Sequence, residues 1–266
     1  MSELASNALQ RFSLSGRTAI VTGGGRGIGK AIARGLAQAG AEVAIVYRED
    51  AAAAQGVVAE LRAMGRERSF ALAADVSVGV DARRMADSAA ERWGRIDILV
   101  NNAGIVFNGN AESYPEEHWD RTFDVNVKGA FLCAQAVFKT MAAQRAGSIV
   151  NIGSMSGDIV NWPSRQAAYN ASKAALHMLT KCLAVEWAEH RIRVNAIAPG
   201  FHLTEMAAQV IKTDPSLAEK HWLPGIIQNR IADPSELAGA AIYLASDASS
   251  YTTGHVLTSD GGYTLR

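Results

Sequence analysis

The sequence predicts an α/β protein: one domain, a Rossmann-like doubly wound parallel sheet with helices on both faces. Two observations predict it. Short apolar runs recur along the chain with longer amphipathic stretches between them, and strands that alternate with helices pair in parallel, because a parallel neighbour is reached only through a crossover. The first run, residues 18–21, leads into Thr22-Gly23-Gly24-Gly25-Arg26-Gly27-Ile28-Gly29 and then a helix-forming stretch, residues 30–39. That order of strand, glycine turn and helix brings backbone NH groups and a positive helix end toward a pyrophosphate, so it reads as a dinucleotide cradle. A chain of 266 residues, 48% hydrophobic and 20% charged, buries a large core without a second domain, so residues 1–266 are read as one unit.

Taken in order, strands are expected at residues 18–21, 42–46, 69–73, 96–100, 148–152, 193–197 and 255–258, each a short apolar or β-branched run. The alanines at 51–54 belong to a helix of high propensity. Apolar stripes mark helices over about residues 115–142, with Phe131, Leu132 and Val137, and about residues 164–190, with Leu176, Leu179, Leu183 and Val185. A helix lying on a sheet needs one such face. Right-handed crossovers align the carboxyl ends of the strands along one edge, and ligands bind in the crevice there. Residues 201–228 break the alternation, with two prolines, two aromatic residues and mixed polarity. An irregular insertion after a strand end suits a substrate lid.

Lys plus Arg equals Asp plus Glu at 26 each, so no basic field invites nucleic acid. Apolar runs stay well short of the roughly 18 residues that span a bilayer, and residues 1–12 lack the basic start and apolar core of a secretory leader. A cytoplasmic protein that engages no membrane is expected. Cys133 and Cys182 stand in predicted helices without CxxC or Cys/His spacing, which points to buried reduced thiols. His177, His202 and His255 show no ligand pairing and read as packing or hydrogen-bonding residues, so no metal is expected.

The chemistry is concentrated in Tyr169-Asn170-Ala171-Ser172-Lys173, with Ser154 fifteen residues before the tyrosine. A phenol with a pKa of about 10 acts near neutral pH only if its anion is stabilised, and an ammonium four residues on lies on the same helix face. Tyr169 then reads as general acid for carbonyl reduction and base for alcohol oxidation, with Lys173 lowering its pKa and reaching the ribose hydroxyls. Ser154 reads as a fixed donor to the substrate oxygen or as the cap of a turn. Gly153-Ser154-Met155-Ser156-Gly157 imitates a hydrolase nucleophile elbow, but Met155 stands where that elbow needs its serine.

With Gly23, Gly27 and Gly29, Asn101-Asn102-Ala103-Gly104, Asn126, Ser154, Tyr169, Lys173 and Pro199-Gly200 in order, the chain resembles the short-chain dehydrogenase/reductase family over nearly its whole length. The resemblance implies that Asn126, Ser154, Tyr169 and Lys173 are the catalytic residues, Asn126 positioning a water that links Lys173 to solvent. It implies cofactor contacts from Gly23, Arg26, Gly27, Ile28, Gly29, Asn102, Ala103, Gly104, Tyr169, Lys173, Pro199, Gly200 and Thr204. Asp75 and Val76 match the adenine-binding position, where Asp75 reads equally as a helix N-cap. Matching helices pair across subunits in the family, which implies a homotetramer.

Tyr47 and Arg48 end the second strand where an acidic residue would select a free ribose. Arg48, with Arg26 in the glycine turn, favours the 2′-phosphate of NADP(H), unless Glu49 and Asp50 neutralise it. The segment before Tyr169 and the terminal Asp260-Gly261-Gly262-Tyr263 resemble the polyol/ketose branch of the family. Asn161, Gln166, His202 and Ser154 are the substrate candidates, while Trp162 and Trp222 suit an apolar wall. A 3-oxoacyl thioester reductase and a non-catalytic NADP(H)-binding sensor are the alternatives.

Overall fold

The seven apolar runs lie side by side in one sheet. The structure is a computed structural model that describes residues 7–265; the first half of the 1–12 stretch read for a leader lies outside the described residues. Strands β1 (Thr18–Thr22), β2 (Glu42–Tyr47), β3 (Phe70–Ala73), β4 (Ile98–Asn101), β5 (Gly147–Ile152), β6 (Ile192–Pro199) and β7 (Val256–Ser259) are all parallel. Their order is β3-β2-β1-β4-β5-β6-β7, so the winding reverses between β1 and β4 and opens a crevice beyond their carboxyl ends. Helices α1 (Gly27–Gln38), α2 (Ala51–Ala63), α3 (Gly79–Trp93), α4 (Glu116–Phe123), α5 (Ala130–Gln144), α6 (Ala167–Glu186), α7 (Glu205–Thr213), α8 (Pro215–Leu217) and α9 (Leu237–Ala245) complete the chain.

Alternate strand residues serve opposite faces. Ala19 and Val21, Val43 and Ile45, and Ile98 and Val100 pack with α1, α2 and α9. Ile20, Ala44, Val46 and Leu99 pack with α3, α5 and the end of α6. Both faces of β1 are therefore buried, which is why it reads as an unbroken apolar run. Truncating Leu36, fully buried on α1, should cost about 2–5 kcal/mol.

Element ends follow side-chain chemistry. Asp50 caps α2 by accepting from Ala53 N at 2.9 Å, and Gly94, with φ at 75°, ends α3. The predicted fourth strand begins two residues late, because the Gln144 amide, not a neighbouring strand, satisfies the N–H and carbonyl of Ile96. The predicted helix over 115–142 is a near-continuous rod, α4 and α5 joined by a π turn, Asp124–Gly129, that holds Asn126. Its stripe divides: Val137 joins the core with Leu176 and Leu183 of α6, whereas Phe131 and Val185 are exposed. Cys133 is buried, which pushes its thiol up to about 12, but Cys182 lies on the outer face of α6 and is exposed, contrary to the expectation. None of the described helices is long and apolar enough to cross a membrane.

Candidate active site

The glycine turn connects β1 to α1 at the switch point. Gly23 and Gly27 take φ of 63° and 52°, the left-handed region that side chains disfavour. At Gly29 a Cβ would collide with Gly23 O and Asn102 Nδ2, so any other residue would push the turn off β4. Thr22, which sequence reasoning passed over, sits at the centre of this junction: its Oγ1 accepts from Asn102 N and Ala103 N, both at 3.0 Å. Asn102 Nδ2 returns to Thr22 O at 2.9 Å and Gly23 O at 3.1 Å. Asn102 thus shapes the cradle by holding its backbone. Arg26, the α1 N-cap residue, makes no side-chain cap, so the first-turn N–H groups around Ile28 face the crevice without an internal acceptor. A bare backbone cradle at a helix N-terminus fits a dinucleotide pyrophosphate.

The proposed chemical groups meet at the ends of β4 and β5. Lys173, on α6, is 4% exposed and donates from Nζ to Ile152 O at 2.8 Å. Burial brings its pKa down to about 8, which leaves it mostly charged at neutral pH. Its Nζ lies 5.5 Å from the centroid of the Tyr169 ring. Burial raises the Tyr169 phenol and the Ser154 hydroxyl partly opposes this. Ser154 caps the turn Met155–Gly157, its Oγ accepting from Ser156 N at 3.1 Å. An acceptor role there leaves the hydroxyl proton available to a further oxygen.

Asn126 is buried, and its amide clamps Ile105, accepting from the N–H at 2.8 Å and donating to the carbonyl at 3.0 Å. Nδ2 also reaches Ser172 Oγ on α6 at 3.0 Å. Asn126 Oδ1 and Lys173 Nζ both border the space beside Gly104, 3.4 and 3.6 Å from where a side chain there would begin. The Asn126 side chain is therefore committed to backbone and Ser172. A second asparagine chain went unnoticed in the sequence: Asn101 Nδ2 to Asn151 Oδ1 and Asn151 Nδ2 to Thr180 Oγ1, each 2.9 Å, tie β4 and β5 to α6. That network fixes α6, and hence Tyr169 and Lys173, against the sheet edge.

Comparison with known proteins agrees with this geometry. Residues 23–264 match the family described as Enoyl-(Acyl carrier protein) reductase. A galactitol 2-dehydrogenase (L-tagatose-forming) of Cereibacter sphaeroides is 44% identical, with 96% of this chain and 97% of that one covered. The chain belongs to the short-chain dehydrogenase/reductase family. A rhamnolipid-biosynthesis 3-oxoacyl-[acyl-carrier-protein] reductase of Pseudomonas aeruginosa is 42% identical over 96% of this short-chain dehydrogenase/reductase and 98% of that protein. A solved gluconate 5-dehydrogenase of Burkholderia cenocepacia, in complex with NADP and tartrate, matches with a TM-score of 0.90 at 37% identity, covering 98% of this chain and 100% of that one.

Around the family's cofactor crevice, several predicted contacts have partners within the protein. Arg48, after Tyr47 at the end of β2, is paired with Glu49 at 2.6 Å, the neutralisation weighed above, while Arg26 is exposed. Asp75 does not cap α3, whose N-cap is Val78. Burial would raise its carboxyl, but bonds from Ser77 N and Oγ, at 2.9 and 2.5 Å, and from Arg121 at 3.0 Å hold it at about 2. It is a fixed anion beside buried Val76. Pro199 ends β6, Gly200 follows, and Thr204 caps α7 with its methyl 3.4 Å from the space beside Gly27. The start of the 201–228 segment thus lies over the glycine turn.

Of the substrate candidates, only Ser154 belongs to the Tyr169 group by contact. Asn161 is buried, and its Oδ1 accepts from Ser156 Oγ at 3.1 Å and Gln166 Nε2 at 3.0 Å; the two amides brace the Ser154 turn. His202 faces elsewhere, lining a cavity of about 340 Å³ with Gln228, Arg230 and Asp260 at the end of β7. Its Nδ1 meets Gly200 O at 3.0 Å, and burial lowers its pKa. Trp222 stacks on Phe201 at 4.5 Å inside the 201–228 segment, and Trp162 is exposed under Arg165. Phe107 stacks on His118 at 4.2 Å, and its neighbour Gly109 binds the 158–166 loop through its N–H to Arg165 O at 2.8 Å.

Proposed function

We propose that the protein is an oxidoreductase that moves a hydride between NADP(H) and the carbonyl of a ketose, or the matching secondary alcohol of a sugar alcohol. The observation that carries this reading is the convergence of Ser154, Tyr169, Lys173 and Asn126 beside the glycine cradle. The likeness to a galactitol 2-dehydrogenase supports the substrate class. Bound nicotinamide supplies or accepts the hydride. Tyr169 gives its phenolic proton to the carbonyl oxygen in reduction and takes it back in oxidation. Ser154 donates to the same oxygen as charge builds on it, its outward proton left free by the acceptor bond from Ser156 N. Lys173 stabilises the phenolate with its charge and reaches the ribose hydroxyls, and Asn126 holds Ile105 and Ser172 so that Gly104 and Lys173 keep their places.

NADP(H) preference belongs to the proposal. The Arg48–Glu49 pair is half-exposed, and surface pairs are worth only about 0–1 kcal/mol, so Arg48 is free to turn to a 2′-phosphate, with Arg26 of the glycine turn as a second positive charge. Residues 201–228 act as the lid. Exposed Phe131 and Val185 suit a homotetramer of closed symmetry, and the site is proposed to work in the cytoplasm.

Initial rates of NADPH and NADH oxidation with tagatose, fructose, sorbose, xylulose and an acetoacetyl thioester test the reading. Ketose turnover with NADPH is the expected result. Turnover of the thioester alone would move the function to acyl-chain reduction, which the Pseudomonas relative makes the rival. A rate for NADH equal to that for NADPH would remove the cofactor assignment.

A further inference from the structure

His177 lies on α6 one turn beyond Lys173 and is buried. Its Nδ1 is 3.2 Å from Asp158 Oδ1. A carboxylate only accepts, so Nδ1 carries the proton and Nε2 keeps a lone pair, yet Nε2 is buried with no partner. Leucine or methionine would fill this position without an unsatisfied polar atom, so the histidine needs a reason to be there. Its ring supplies one. A Cβ on Gly153 would collide with Nε2 and Cδ2 of the imidazole, and a Cβ on Gly157 would come within 2.8 Å of Cε1. The ring is thus seated between the two glycines that bracket Ser154, with Asp158 securing the outer side. The loop is otherwise anchored at its start, by Lys173 Nζ to Ile152 O and by Gly153 N to Ile197 O at 2.7 Å. Beyond the serine, α6 grips the loop through His177 and Asp158 at the turn itself, and further along through Asn170 Nδ2 to Ile159 O and Gln166 Nε2 to Asn161 Oδ1, each at 3.0 Å.

We propose that His177 is a positioning residue: seated between Gly153 and Gly157 and tied to Asp158, it sets the direction of the Ser154 hydroxyl toward the substrate oxygen. This rests on the oxidoreductase reading above. Positional errors of an ångström in a donor are enough to reduce turnover by roughly ten- to a hundredfold.

The test is a double-mutant cycle on the full-length protein with NADPH and whichever ketose turns over. His177→Leu should lower kcat by roughly tenfold or more while leaving the NADPH Kd, read by fluorescence, within about twofold, and His177→Gln, which keeps a polar reach to Asp158, should recover part of it. Ser154→Ala and Ser154→Ala/His177→Leu should have the same kcat, because the histidine has nothing left to position. Losses that multiply in the double variant would overturn the proposal. A Ser154→Ala protein as active as the parent would instead overturn the oxidoreductase roles themselves. Should His177→Leu fail to fold, Gly153→Ala keeps the question open to decision: it should impair kcat with His177 present and clearly less in a His177→Ala background, where only the 3.2 Å approach to Ile197 O remains. Equal impairment in both backgrounds counts against the ring.

Discussion

Lys173→Met should make the protein more stable at neutral pH while abolishing turnover. Lys173 is 4% exposed, and burial takes its pKa from the ordinary 10.5 to about 8. At about 1.36 kcal/mol per pH unit, keeping the charged form in the folded state costs on the order of 3 kcal/mol. Methionine has a similar length and no charge, but it forfeits the 2.8 Å bond to Ile152 O, worth roughly 1.5–3 kcal/mol for a charged donor. The balance favours methionine by up to about 1.5 kcal/mol at pH 7, at about 2–4 °C in melting temperature per kcal/mol for a chain of this size. The unfolded chain holds the lysine proton up to pH 10.5 and the folded one releases it near 8, so between these values the unfolded state binds more protons and the parent gains stability as pH rises. The advantage of the variant should therefore be complete below pH 8 and shrink toward pH 10. Paired denaturant melts at pH 7 and pH 9.5 measure it. A variant less stable than the parent at pH 7, or a difference that does not move with pH, would refute the reasoning.

Tyr169→Phe should lower kcat by roughly 10²–10⁴ with the NADPH Kd little changed, as read by stopped-flow and fluorescence titration; loss of both together would make Tyr169 a binding residue first. Arg48→Ala should weaken NADPH by roughly tenfold, a loss of about 1.4 kcal/mol, and leave NADH alone, because only the 2′-phosphate distinguishes them. Isothermal titration with both cofactors decides, and an equal loss for each would assign Arg48 to the surface. Gly29→Ala should abolish binding of either cofactor without unfolding the sheet, since the added Cβ meets Gly23 O and Asn102 Nδ2. Circular dichroism alongside the titration separates the two effects.

The strands were legible in the sequence to within a residue or two because parallel strands buried on both faces are written as short apolar runs. The fourth strand shows the limit: Ile96 has the composition of a strand residue, and only Gln144, 48 positions away, removes its backbone from the ladder. The Tyr169 and Lys173 pairing was legible because both lie on one helix at a spacing set by local geometry. The partners of Asn161 and Gln166 were not legible for the opposite reason. Composition showed two hydrogen-bonding amides near a tyrosine, and packing turned them toward Ser156 and each other.

By itself the sequence determined the order of seven strands and their helices along the chain, the glycine turn that only glycine can make, and the placing of Tyr169 and Lys173 one turn apart on a single helix. These follow from interactions within a few positions of one another: pleat, helical period and left-handed backbone. The tertiary structure alone decided that Asp75 is held by Arg121, 46 residues away, that Thr22 joins the cradle to Asn102, 80 residues away, that His202 faces a separate cavity, and that His177 fills the space between two glycines. In each case the deciding partner is brought near by crossovers of the sheet, and the energy that selects it, burial of a polar group with or without a partner, exists only once the core has closed.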